Sequence, residues 1–376
     1  MRVLLDVSAV PAQPVGAGVY TIAVARGLAE RSDIEMHLLT RQSDGARWPD
    51  LVPGAVVHSD VPDRRVVRLA WEQTGAARIA RDVKPDVWHG PHYTMPLRSP
   101  VPAVVTIHDL TFFDHPEWHE RSKVVYFRRM IRAAAKRAAV LICVSEYTAG
   151  RLRALCDPQG EVLVIPHGVD HERFTPDGDA AKDRALLGTH GITPPYLAFA
   201  GTIEPRKNLP ALVAAFATIS DAHPAVRLVL AGGDGWGTKQ TRAAIAESGV
   251  ATRILRPGYL AGETLVALFR HAEAVTYPSL EEGFGLPALE ALACGTPLVT
   301  SAGTALGEVA GDAALLVPPT DEAALAEALA TVLDDPDTTA RLRAAGPARA
   351  AQFTWSASVE SHASAYRRAV DASMRV

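Results

Sequence analysis

Two acids eight residues apart, Glu282 and Glu290, and two adjacent cations, Arg206 and Lys207, are the side chains of this sequence best placed to do chemistry. The acids enclose Gly283-Phe284-Gly285-Leu286-Pro287, a glycine loop that opens a helix. The N-terminus of a helix offers backbone N–H groups and the positive end of a dipole, so it favours an anion such as phosphate. Carboxylates beside it suit a polyol, because one carboxylate accepts hydrogen bonds from two hydroxyls. Fixed cations stabilise a diphosphate as its bond to a sugar breaks. Phosphate plus polyol points to a nucleotide sugar. The plainer alternative is a solvated acid, a capping acid and two solvated cations.

The elements that position these groups alternate along the chain. Short β-rich runs fall at Val3–Val7, Ile34–Thr40, Asp86–His89, Ala103–His108, Val140–Ser145 and Val162–Ile165. Helical spacing separates them at Val19–Glu30, Val67–Arg81, Lys123–Ala139 and Glu146–Leu155. The polar, proline-bearing stretch 170–195 reads as an interdomain linker region with a short helix in it. A second series follows, with strands at Tyr196–Ala200, Arg227–Ala231, Arg253–Arg256, Ala274–Tyr277, Pro297–Thr300 and Ala314–Val317. Helical stretches at Asp337–Ala351 and Trp355–Val370 close the chain. Such alternation predicts an α/β fold with two Rossmann-like halves, whose ligands bind beyond the carboxyl ends of the strands.

Several loops border those ends. Gly16-Ala17-Gly18 precedes the first helix but lacks the dinucleotide-binding spacing. His108 ends the fourth run. Gly201-Thr202-Ile203-Glu204-Pro205-Arg206-Lys207-Asn208 follows the first strand of the second half, with Asn208 suited to cap the helix after it. Gly232–Lys239 lacks the order of a P-loop. Pro257-Gly258-Tyr259-Leu260 follows another strand. His108, Asp109, Asp114, His115 and His119 match no metal-ligand spacing, so no metal is expected.

The run Glu282-Gly-Phe-Gly-Leu-Pro-Ala-Leu-Glu290-Ala-Leu-Ala-Cys-Gly-Thr-Pro closely resembles the signature of the retaining GT-B glycosyltransferases of family 4. Gly201–Asn208 resembles that family's G-T-x-E-P-R-K-N motif, though some relatives carry Arg where Thr202 stands. Gly18-Val19-Tyr20 stands where relatives often read Gly-Arg-Tyr. The resemblance implies two Rossmann-like β/α/β domains facing across a deep cleft: an acceptor-binding domain at 1–172 and a nucleotide-sugar donor-binding domain at 173–354. A C-terminal helix, 355–376, crosses back to the first. It also implies roles. His108 and Glu282 position the transferred hexose, and Glu290 holds the ribose. Thr202, Arg206, Lys207 and the helix start from Gly283 through Phe284, Gly285 and Leu286 face the diphosphate. Gly16 and Gly18 border the donor, and Gly258, Tyr259 and Leu260 lie near the base. With His167-Gly-Val-Asp170, the motifs look most like bacterial mannosyltransferases of surface polysaccharides. GDP-mannose is the first choice of donor and a UDP-hexose the second, with no cofactor. The acceptor is a glycan, glycolipid or small-molecule hydroxyl. A nucleotide-sugar epimerase or hydrolase, or a non-catalytic scaffold of the same fold, are the rival readings; the scaffold would be expected to have lost these acids or cations.

Composition narrows the partners. The 376 residues carry a formal net charge of −4, so nothing calls for nucleic acid. Three scattered cysteines argue against a disulfide framework and for a reducing, cytoplasmic setting. The stretch Arg121–Arg137 holds seven cations and no acid. It reads first as a helix packed on its own sheet with a solvated basic face. The second reading is a peripheral contact with anionic lipid at the inner face of the plasma membrane.

Overall fold

The computed structural model describes residues 1–374; the last two positions expected in the C-terminal helix, 375 and 376, lie outside them. The chain divides into two compact units, one of Met1–Gly168 with the C-terminal stretch from Trp355, the other Val169–Thr354. The division therefore falls after Gly168, where the sequence reading placed it after residue 172.

The first unit is built on seven parallel strands: β1 (Arg2–Asp6), β2 (Glu35–Arg41), β3 (Val56–Val61), β4 (Val87–Gly90), β5 (Ala103–Ile107), β6 (Val140–Cys143) and β7 (Glu161–Val164). Their order is β3-β2-β1-β4-β5-β6-β7. β1, β4, β5 and β6 are buried almost throughout, as strands covered on both faces by helices must be. β3 is absent from the sequence reading. It is an edge strand, half exposed, and its polar His58, Ser59 and Asp60 dilute the apolar pattern. The helix expected over Val67–Arg81 is two helices, Arg65–Thr74 and Ala76–Val83, broken at Gly75. A side chain at Gly75 would strike the Trp71 indole at 2.3 Å.

The C-terminal helix Trp355–Ser373 packs on the helix Ala17–Ala29 through Val359, Ala363, Tyr366, Tyr20, Val24 and Leu28. Beneath them runs a chain of buried hydrogen bonds whose direction is set at one end. The Ser358 carbonyl can only accept, so His362 Nδ1–H donates to it at 2.7 Å and Nε2 is left as an acceptor. Tyr20 then donates to Nε2 at 2.8 Å. Thr106 donates to Tyr20 at 2.8 Å, and His89 Nε2–H to Thr106 at 2.8 Å. Tyr366 completes the chain by donating to His89 Nδ1 at 2.7 Å. Every member is satisfied with both imidazoles neutral.

The second unit has six parallel strands: β8 (Tyr196–Ala200), β9 (Arg227–Ala231), β10 (Ile254–Gly258), β11 (Ala274–Tyr277), β12 (Leu298–Ser301) and β13 (Ala314–Val317). Their order is β10-β9-β8-β11-β12-β13. The expected linker, 170–195, is part of this unit. Its helix Ala180–Gly188 buries Leu187 and anchors Asp183, which accepts from Arg270 at 2.6 Å and from His271 at 3.1 Å. Among the described residues no helix is long and apolar enough to cross a membrane.

Candidate active site

In a doubly wound parallel sheet the strand order reverses at one point, and the loops leaving the strands on either side part there to leave a crevice. In the second unit that point lies between β8 and β11. Arg206 and Lys207 leave from β8 and Glu282 from β11, and the structure brings the three together. Arg206 donates to Glu282 Oε2 at 2.5 Å, and the Lys207 ammonium donates to Oε1. Ser279 adds a bond to Oε1 at 3.2 Å, and Arg206 also donates to Glu204 at 2.7 Å. Glu282 and Lys207 are only 6 % and 5 % exposed. Burial alone would push the Glu282 carboxyl up, but Arg206 and then Lys207 outweigh it and hold the group at about 2. Burial, with Arg206 alongside, pushes the Lys207 ammonium down; Glu282 opposes this.

The remaining candidates of this unit lie on loops stitched to the same edge. Leu280 N–H donates to the Arg206 carbonyl at 2.7 Å. Ile203 N–H bonds Gly233 at 3.1 Å, and Gly232 N–H bonds Gly258 at 2.7 Å. Thr202, Gly258, Tyr259 and Leu260 thus share one rim with Arg206. Tyr259 is exposed and Leu260 is buried. Gly283 and Phe284 are buried, and the Phe284 ring meets Phe353 edge-on at 5.9 Å. Gly285 caps the helix Leu286–Ala293 with φ 100°, and a side chain there would strike Leu306 at 2.3 Å. Glu290 lies in this helix. Burial lifts its carboxyl to about 7, against the pull of Arg173. Asn208 is not the expected side-chain cap. Its backbone is left-handed, and its amide donates instead to the Pro319 carbonyl at 2.8 Å.

In the first unit, His108 follows β5. Its Nε2–H donates to the Pro91 carbonyl at 2.8 Å, which leaves Nδ1 as the acceptor. Burial pushes the imidazole down, so it is neutral at pH 7. Tyr20 and His167 pack on it at ring distances of 5.1 and 5.9 Å. Gly16 stands at the cap of the first helix with φ 45°, whereas Gly18, expected in the loop, lies inside the helix from Ala17. Two acids of this unit escape the sequence reading. Asp6 ends β1, and Glu72 is buried in Arg65–Thr74. Burial first, and Asp6 second, raise Glu72 to about 8. Nothing in their spacing, sixty-six positions apart, announces the pair.

The histidine and aspartate set after β5 is dispersed. Asp109 caps Thr111, Asp114 pairs with Arg151, His115 lies on Trp118 at 3.8 Å, and His119 bonds Thr111. The basic helix Arg121–Arg137 commits part of its charge inwardly. Arg128 donates to the Phe112 carbonyl at 2.6 Å, Arg137 to that of Leu97 at 2.8 Å, and Arg132 covers the Phe113 ring.

Comparison with known proteins places both halves. Residues 14–173 match the model of Glycosyltransferase Family 4, and residues 188–349 match that of Glycosyl transferases group 1. The O-antigen chain mannosyltransferase B of Escherichia coli is 29 % identical over 94 % of this chain and 96 % of its own. The D-inositol 3-phosphate glycosyltransferase of Actinosynnema mirum is 32 % identical over 95 % of this chain and 93 % of its own. Among solved structures, the sucrose-phosphate synthase of Thermosynechococcus elongatus superposes with a TM-score of 0.81 at 24 % identity, covering 98 % of each chain. With two Rossmann-like units, both family models and full-length relatives in agreement, the chain belongs to the GT-B glycosyltransferases of family 4.

Proposed function

We propose that the chain moves a hexose, mannose first among them, from a nucleotide diphosphate sugar to a hydroxyl acceptor, retaining the anomeric configuration and using no metal. One observation carries the reading: two cations and a carboxylate converge at the switch point of the second unit. Arg206 and Lys207 take the diphosphate, helped by the open end of the helix Leu286–Ala293. Glu290 takes the ribose hydroxyls, and Gly258 to Leu260 border the base. Thr202 sits beside the phosphates. Glu282 accepts from hexose hydroxyls, and His108 keeps an Nδ1 lone pair for a sugar hydroxyl. The first unit receives the acceptor, and its Gly16 and Gly18 border the donor. The anomeric carbon–oxygen bond breaks toward the diphosphate, and the acceptor oxygen attacks from the same face. Its proton passes to the departing phosphate oxygen. GDP-mannose is preferred as donor because the motifs look most like those of bacterial mannosyltransferases and a full-length relative bears that name; a UDP-hexose is the second choice.

Calorimetric titration with GDP-mannose, UDP-glucose, UDP-N-acetylglucosamine, GDP and UDP, without added metal, tests this. One nucleotide family binds and the other does not. If none binds, with or without magnesium, the donor-site reading fails.

A further inference from the structure

The Lys207 ammonium is not held by Glu282 alone. It also donates to the Tyr277 hydroxyl at 3.1 Å and lies 4.6 Å from the centre of the same ring. Tyr277 ends β11, and its own proton goes to the carbonyl of Ala200, the last residue of β8, at 3.1 Å. The phenol therefore bridges the two strands that flank the switch point, and toward Lys207 it presents only lone pairs and the face of its ring. Its ring stacks on Phe199 at 5.1 Å, and the residue is 1 % exposed. Desolvation pushes the phenol well above its ordinary value, so it stays protonated and keeps its bond to Ala200.

Both oxygens of Glu282 accept hydrogen bonds, one from Lys207 and Ser279, the other from Arg206. Lys207 points at Glu282, so a diphosphate that takes this cation draws the ammonium off the carboxylate. A lysine freed in this way swings on a flexible four-carbon stem. We propose that Tyr277 is a positioning residue for the donor diphosphate, holding the Lys207 ammonium in place while that cation passes from Glu282 to the phosphates. A neutral hydroxyl and a ring face suit the task, because they attract the ammonium without competing as an anion would. The inference rests on reading Lys207 as a diphosphate ligand.

Tyr277→Phe keeps the ring, its stack and its cation–π contact and removes the hydroxyl. The test is calorimetric titration of wild type, Tyr277→Phe and Lys207→Gln with GDP and with UDP from pH 7 to 9, beside thermal melting. Tyr277→Phe binds the preferred nucleotide about tenfold more weakly, because an ammonium no longer fixed by the hydroxyl must be ordered as the diphosphate binds. Its affinity also declines at lower pH than in the wild type, because the lost lone pair stabilised the charged amine. Unchanged affinity and pH dependence in Tyr277→Phe, whatever its melting temperature, would overturn the proposal while Lys207→Gln has lost binding. If Lys207→Gln binds as the wild type does, the donor-site reading falls and this inference with it.

Discussion

The two units bury polar groups in opposite ways. In the first, the polar core is neutral: two tyrosines, a threonine and two histidines pass hydrogen bonds in one direction beneath the C-terminal helix. Burial depresses His89, His92, His167 and His362, and even Glu72 is raised enough to be largely protonated at pH 7. In the second, full charges remain: Arg206 and Lys207 against Glu204 and Glu282. Buried ion pairs seldom stabilise a fold more than well-packed apolar groups of the same volume. A neutral network is a means of fixing a helix. A charged one at a strand switch point is better explained by a charged ligand.

The largest test of this contrast is Glu282→Gln. Removing the carboxylate should lower kcat by about 100- to 1000-fold, the range for a lost group that stabilises the transition state. Binding of free GDP or UDP should tighten, because the cations lose a competing anion. Weaker nucleotide binding with normal turnover would mean that Glu282 serves the fold.

The next concerns the neutral network. An unfolded histidine takes up a proton near pH 6.5, whereas folded His362 resists until about 4. The unfolded state therefore binds more protons across that window, and stability falls as pH drops through it. His362 alone contributes about 1.4 kcal/mol per pH unit. Denaturant titrations at pH 7, 6 and 5 measure this slope. His362→Gln should flatten it, and an unchanged slope would remove His362 from the account.

The smallest effect is expected at Glu72. Its folded carboxyl is raised to about 8, above the unfolded value of 4.5, so stability is lost as pH rises between the two. Glu72→Gln removes that loss, and its gain over wild type should be about 1 kcal/mol larger at pH 6 than at pH 5. An equal effect at both pH values would mean that Glu72 is charged in the fold.

Much of this was legible in the sequence, for identifiable reasons. Buried parallel strands are short apolar runs between helical spacings, so most of both sheets can be read directly. β3 could not, since one of its sides faces water and its pattern is mixed. The stretch 170–195 looks like a linker because its proline and polar content is high; the Asp183–Arg270 pair that ties it down joins residues 87 apart. Arg206, Lys207 and Glu282 stand in recognisable motifs. Tyr277 stands beside one of them and escapes notice, because its partners Ala200 and Lys207 lie in β8 and in the loop after it, made neighbours only by the sheet order.

The bond from Tyr20 to His362 spans 342 positions, and it has a consequence for biosynthesis. The second unit is one uninterrupted stretch, available in full once Thr354 has left the ribosome. The first cannot bury Tyr20, Val24 and Leu28 until the last helix has been translated. The usual order of co-translational maturation, N-terminal domain first, is therefore inverted, and the first unit waits with all seven strands made but one face uncovered until the helix Trp355–Ser373 arrives.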